Sequence, residues 1–453
     1  MRAAIKGIIA SLVDAKEYGS IVDLSDQDWD ALDARFVEIE NDINIYREIV
    51  LNNLRPVVKC AKLLAQNYDV VVTNPPYMAV SNGDNALNKF IKDNYPDSKG
   101  DLFAVFIERC GQMAKRNGYQ AMITQHSWMF LSSFEKLRAK LLAVDLVNMA
   151  HLGARAFEEI GGEVVQTTSF VIRKSHVPGY KGEYCRLIEP TTQQGKEDMF
   201  LVGENRYAAD QSNFSKIPGS PVAYWVSQIL LEDFSRGEVL KAKGDTRQGM
   251  ATSDNNRFLR LWYEVAFNRI GFGCTDADNA KTTQKKWYPY NKGGEFRKWY
   301  GNIDYTVNYE NDGYEVKKYA ASLYKTPSRT IKSMSEYFKP CLSWSKISSG
   351  SIAFRYYPEG FVFDVAGCCI FYKDKTTMFY DFGFVNSIIA KEILSAISPT
   401  LNYEAGHIAS LPIIRENTYF EETTVLVRNN ISLSKQDWDS YETSWDFKRH
   451  PLL

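Results

Sequence analysis

Residues 68–77 constrain this chain more than any other stretch. Tyr68-Asp69-Val70-Val71-Val72-Thr73 is a short apolar run of buried-strand type, and Asn74-Pro75-Pro76-Tyr77 follows it at once. Two prolines in succession fix φ and remove two backbone donors, so the strand must stop there and the loop carbonyls are left free to accept. The result is a rigid corner with an amide and an aromatic ring at the mouth of a sheet. The Asn74 side-chain oxygen and the Pro75 carbonyl can accept from one NH2 group, and Tyr77 offers a ring face. Such a corner suits a flat molecule with an exocyclic amino group. A plain turn after a strand is the competing reading.

The surrounding pattern alternates strand and helix. Residues 1–67 read as a helical lead-in. Ser25 and Asp28 form a capping pair ahead of an apolar stripe at Trp29, Leu32, Phe36 and Val37. Asn52 to Gln66 continues the helical period. A helix is expected from Leu102 to Lys115, closed by Asn117-Gly118, with strands at 119–124, 145–152 and 164–174 and a helix at 134–143. This alternation predicts an α/β fold with part of a doubly wound, Rossmann-like sheet over residues 68–176. Pro178-Gly179-Tyr180-Lys181-Gly182 reads as a linker. Residues 183–415 then read as a second, α+β domain, with helices near 224–231 and 385–397. Residues 416–453 read as a helical tail, in which Ser434 starts a helix as Ser25 does.

Composition excludes some classes. Net charge is −1, so nucleic-acid binding has no support from total charge and must rest on local patches. Aromatic residues make up 13% of the chain, which suits base stacking as well as a core. Cys60, Cys110, Cys185, Cys274, Cys341, Cys368 and Cys369 are scattered without a CxxC pair, and no HxxxH occurs. A reduced, cytoplasmic chain without a metal is the expectation, with Cys368-Cys369 as strand filler. No apolar run reaches the ~18 residues of a membrane span.

The motif and its sequel carry a resemblance. Asn-Pro-Pro-Tyr after an apolar strand looks like the catalytic motif of DNA methyltransferases that modify the 6-amino group of adenine. The chain resembles one subgroup in particular, the large PglX adenine-specific methyltransferases of BREX (bacteriophage exclusion) defence systems. The similar segments are Gly100 to Phe103, Ile160 to Thr168, Gln248 to Thr252, Trp287 to Gly294 and Pro399 to Tyr403. The resemblance implies site-specific methylation of double-stranded DNA in restriction or phage defence, with S-adenosyl-L-methionine as donor and other defence proteins as possible partners. It implies catalytic roles for Asn74, Pro75, Pro76 and Tyr77, and donor contacts from Asp101, Leu102 and Phe103. An adenine in a duplex must be flipped out to reach such a loop. Tyr77 is one stacking face; Phe157, the one aromatic between Leu152 and Phe170, is the candidate for the other, or an ordinary core residue. The family's glycine-rich donor loop finds no match in residues 1–73, and the chain reads as the later part of a longer protein.

DNA contact is expected from the second domain. Lys281, Lys285, Lys286, Lys292, Arg297 and Lys298 interleave with Trp287, Tyr288, Tyr290, Phe296, Trp299 and Tyr300. A second basic region holds Lys325, Arg329, Lys332, Lys339 and Lys346, and Gln248 to Asn256 reads as a polar loop near the substrate. On composition alone the same stretch also reads as a solvated charged face over buried rings. Two other functions compete: a non-catalytic DNA-binding module lacking the donor loop, and methylation of a protein glutamine, against which the basic aromatic domain argues.

Overall fold

The computed structural model describes residues 1–157, 165–348, 350–398 and 402–453. These form two compact units, Met1–Trp225 and Val226–Leu453. Residues 160–164 and 399–401 of the motifs named above, and the expected strand start at Val164, lie outside the described residues.

The first unit begins with helices Arg2–Leu12, Trp29–Glu40 and Arg55–Ala65. Their apolar stripes close on each other through Ile8, Leu32, Phe36, Val58 and Ala61. The cap at the second helix is Asp28 alone, whose carboxylate accepts from the Ala31 N–H at 3.0 Å. Ser25 instead accepts from the Gln27 side chain, and Val37 of the expected stripe is exposed.

Six strands follow: β1 (Tyr68–Thr73), β2 (Ala114–Gln125), β3 (Asp145–Ala154), β4 (Gln166–Arg173), β5 (Lys181–Arg186) and β6 (Arg206–Asp210). They form one sheet in the order β1-β2-β4-β3-β5-β6. β1 and β2 are parallel, as are β3 and β5, while β4 and β6 run against their neighbours. The carboxyl ends of β1, β2 and β3 therefore share one edge. Helices Leu102–Met113 and Glu135–Leu141 cover one sheet face and bury Phe103, Ile107, Trp128, Leu137, Met149 and Phe170. Arg138 is buried there without a carboxylate. Its guanidinium is satisfied by the carbonyls of Trp128, Leu131 and Gly219, and burial holds its pKa down to about 10.

Three sequence expectations shift for physical reasons. The helix from Leu102 stops at Met113, not Lys115, and Asn117-Gly118 lies inside β2 as a kink. A Cβ on Gly118 would sit 2.9 Å from the Asp69 carbonyl, so glycine is needed for close strand approach. The supposed linker at 178–182 leads directly into β5, where a Cβ on Gly182 would sit 2.2 Å from the Leu146 carbonyl. The expected boundary at 176–183 thus falls inside the first unit, because β5 and β6 extend the same sheet.

The second unit holds two four-stranded sheets. One orders Val362–Phe363, Trp287–Asn291, Tyr305–Asn308 and Leu259–Leu261; the other orders Phe354–Tyr357, Cys341–Ser345, Gly367–Tyr372 and Gly244–Arg247. Cys368 and Cys369 are buried in a strand, as filler. Helices occupy Gln228–Arg236 and Ile388–Ile397, each capped by the serine before it, somewhat later than expected. The tail is one helix, Asn417–Asp439, that belongs to this unit: Trp438 is buried in its core and Tyr380 stacks on Phe420 at 4.7 Å. Ser434 lies within that helix and caps nothing. No helix of the described residues is long and apolar enough to cross a membrane.

Candidate active site at the carboxyl edge of the first sheet

β1 delivers Asn74 to the edge. Its carboxamide is exposed and has no hydrogen-bond partner among the described residues. Pro75 behind it is buried and Pro76 is exposed. The loop is held at its far end. Tyr77 is half-buried, its hydroxyl donates to the Ile123 carbonyl of β2 at 3.2 Å, and its ring meets Phe103 edge-on at 6.3 Å. Burial pushes the Tyr77 phenol up to about 12, so it remains a protonated donor.

Asp101 fastens the next residue. Its Oδ1 accepts from the Met78 N–H at 3.0 Å and from the Phe103 N–H at 3.3 Å, the latter as cap of helix Leu102–Met113. The Leu102 N–H returns a bond to the Met78 carbonyl at 2.9 Å. Desolvation raises the Asp101 carboxyl above its ordinary pKa against the pull of these N–H groups. The loop carrying Asn74 is therefore stitched to a helix start. Leu102 and Phe103, expected beside the donor, have their side chains closed into the core, with Phe103 0% exposed. Only Asp101 of that trio keeps a polar group at the surface of the site, and it is engaged with backbone.

Phe157 follows β3 on the same edge, half-buried, and the Gln193 side chain holds the preceding Ala156 carbonyl at 2.9 Å. Sequence reasoning missed a third element. His126, directly after β2, meets His151 of β3 with Nδ1···Nε2 at 2.8 Å, and His151 Nδ1 meets the Tyr224 hydroxyl at 3.2 Å. All three are buried. Desolvation holds His126 down to about 4 and His151 well below its ordinary value, so both rings are neutral at neutral pH. The available signal was that each histidine falls at the end of an expected strand; their separation in sequence hid the pairing. A cleft of about 320 Å3 lined by Ile107, Leu137, Val144 and Ile172 opens at the opposite end of these strands and does not involve Asn74. Among the described residues no His, Cys, Asp and Glu cluster could hold a metal.

The basic stretch in the second unit is largely engaged internally. Lys281 pairs with Asp278, Arg297 with Asp437, and Lys286 approaches Glu310 at 4.0 Å. Lys285 and Lys298 donate to the carbonyls of Asn268 and Asn386, and Lys292 lies over the Tyr305 ring. Tyr288, Tyr290 and Tyr300 are core residues, Trp287 and Trp299 are half-buried, and Phe296 is exposed. The interleaving is thus mostly a strand burying its rings. In the second basic region Lys339 pairs with Glu336 and Lys346 with Glu404. The Gln248 side chain binds Glu404 and the Met250 N–H binds the Phe363 carbonyl, which seats that polar loop within the unit.

Comparison with known proteins relates the sequence to restriction-modification methylases. Residues 11–155 match the Eco57I restriction-modification methylase family. The adenine-specific methyltransferase PglX of Lacticaseibacillus casei (strain Zhang) is 42% identical over 415 residues, covering 88% of this chain and 34% of that protein. The adenine-specific methyltransferase BrxX of Escherichia coli O9:H4 (strain HS) is 36% identical over 452 residues, covering 98% of this chain and 36% of that protein. The type IIL restriction-modification enzyme MmeI, solved in complex with DNA, shares the fold with a TM-score of 0.56 at 13% identity, over 87% of this chain and 52% of that one. The chain spans about a third of the length of the curated relatives it matches. Over nearly all of that span it is a homologue of the adenine-specific methyltransferases PglX and BrxX.

Proposed function

We propose that this chain carries the amine-gripping site of an adenine-specific DNA methyltransferase acting in phage defence. The observation that carries the reading is the exposed, unpaired Asn74 carboxamide on a loop clamped through Tyr77 and Met78. The relatives, adenine-specific methyltransferases by name, support the substrate class. The amino nitrogen of adenine is a poor nucleophile because its lone pair is delocalised into the ring. Asn74 Oδ1 and the Pro75 carbonyl accept its two hydrogens, which favours a pyramidal nitrogen with an aimed lone pair. Catalysis then rests on orientation and on stabilising the developing cation, both of which a preorganised corner supplies. No strong general base is required: as the nitrogen–carbon bond forms and the carbon–sulfur bond of the donor breaks, the amine becomes a strongly acidic ammonium that gives its extra proton to water. The base is taken out of the duplex at a cost of a few kcal/mol and stacks on Tyr77, with Phe157 on the other side.

S-adenosyl-L-methionine, when bound, supplies an electrophilic methyl group. The trio Asp101, Leu102 and Phe103 fits it only in part, since two side chains are buried and the third is committed to N–H groups. We assign the remaining donor contacts to the outer side of β1, which pairs only with β2 among the described residues and exposes Val70 and Val72.

The test is methyl transfer from labelled donor to adenine-containing duplex. Asn74→Ala should abolish detectable transfer while leaving thermal unfolding unchanged; full activity in that variant refutes the assigned role. A second reading, a DNA-binding module without donor affinity, is favoured by one feature: Leu102 and Phe103 are closed into the core and the Asp101 carboxylate is committed to N–H groups. Calorimetry with S-adenosylmethionine separates the two, and micromolar binding excludes the module.

A further inference from the structure

In the 281–300 stretch Lys281, Lys286 and Arg297 face carboxylates while Lys285, Lys292 and Lys298 are held by carbonyls or a ring, and the second unit carries further cations without a carboxylate partner outside that stretch. Residues 257–269 hold Arg257, Arg260 and Arg269, and none has a carboxylate partner among the described residues. The Arg257 guanidinium lies over the Phe258 and Tyr319 rings. Arg260 leans over Trp287 at 5.7 Å while donating to the carbonyls of Asn256 and Leu259. Arg269 is exposed.

These groups share one surface. The chain after Arg269 returns to Trp287, where the Gly271 N–H binds the Trp287 carbonyl at 2.8 Å. Lys285 Nζ holds the Asn268 carbonyl at 2.5 Å. Two large rings stand out beside the arginines: Tyr263 is 61% and Phe267 58% exposed. The acids nearby are otherwise occupied. Glu264 accepts from the Leu261 N–H at 2.8 Å, and Glu310 faces Lys286. A guanidinium held in place by a ring keeps its outward donors free and loses little entropy on binding an anion. Arg260 on the edge strand Leu259–Leu261, Arg257 in the short helix before it and Arg269 in the turn after it, with exposed rings between them, offer the donor chemistry that phosphates and sugars of a nucleic-acid backbone take.

We infer that Arg257, Arg260 and Arg269, with Tyr263 and Phe267 beside them, form the face of the second unit that contacts the phosphate backbone of duplex DNA. This rests on the DNA-directed function proposed above, and places its backbone contacts outside the 281–300 stretch. The experiment is fluorescence anisotropy of this chain with a labelled duplex, titrated at several salt concentrations between 50 and 200 mM. Removing one arginine–phosphate pair flattens the slope of log K against log salt by about 0.9, so the triple Arg→Gln variant should bring the wild-type slope down by about 2.7. Arg269→Glu, at an exposed position, gives a second variant that leaves the core untouched; it should weaken binding at least tenfold at low salt. The ion-paired control Arg297→Gln should change the slope by less than half of one such pair. Duplex binding with an unaltered slope in the triple variant overturns the face while leaving the active-site reading intact. A control that flattens the slope as much as the triple variant overturns it too. If the wild-type chain fails to bind duplex at 50 mM salt, the face and the DNA substrate fall together.

Discussion

Asp101→Ala tests whether the loop bearing Asn74 is held by one carboxylate. The side chain makes two bonds, to the Met78 and Phe103 N–H groups, at 3.0 and 3.3 Å. Loss of a helix cap costs about 1 kcal/mol. A part-buried Met78 N–H left without a partner adds roughly 1–2 kcal/mol. The sum is about 2.5 kcal/mol, which for a unit of this size lowers Tm by roughly 5–10 °C. Asp101→Asn keeps an oxygen acceptor and removes a charge that burial already disfavours, so it should stay within about 1 kcal/mol of wild type. Calorimetry of this chain gives the global effect. Hydrogen exchange at Met78 and Phe103 gives the local one, with protection lost in the alanine variant and kept in the asparagine variant. In turnover, the alanine variant should lose kcat more than donor affinity, since the loop moves and not the donor. An alanine variant melting within 1 °C of wild type, with the Met78 amide still protected, would falsify the clamp.

Acid should weaken the first unit through its buried histidines. His126 stays neutral in the fold down to about pH 4, whereas unfolded histidine takes a proton below about 6.5. The unfolded state binds more protons in that window, so stability is complete above it and falls as pH drops, by about 2 kcal/mol between pH 7 and pH 5 for this residue alone. Urea unfolding at the two pH values measures it, and His126→Phe should flatten the dependence. In the second unit, a Cβ on Gly249 would sit 1.9 Å from the Phe363 carbonyl. Gly249→Ala therefore has to push two backbones apart and should cost about 3 kcal/mol in denaturant unfolding; a cost under 0.5 kcal/mol contradicts the close approach.

Part of this protein was readable from local order. The run Tyr68–Thr73 and the prolines after it set a strand end with Asn74 at its tip, because proline chemistry acts within a residue or two. The helix expected from Leu102 begins there. The same local rules misread Pro178 to Gly182 and Asn117-Gly118. Glycine marks a turn and a tight strand approach alike, and only the neighbouring strand tells them apart. The antiparallel insertion of β4 between β2 and β3 has no local signature either.

The site divides in the same way. Chain order alone determined that a rigid amide and a ring follow an apolar strand, since they are consecutive residues under steric control; that the strand would expose Val70 and Val72 instead of burying them was not legible there. The tertiary structure decided which charges and polar atoms remain available. Lys281 and Arg297 are neutralised by partners near and far in the chain, while Arg257, Arg260 and Arg269 are not. His126 and His151 become one buried pair because two strand ends meet at one edge. Pairing depends on distance in space, and composition along a chain carries no record of that distance.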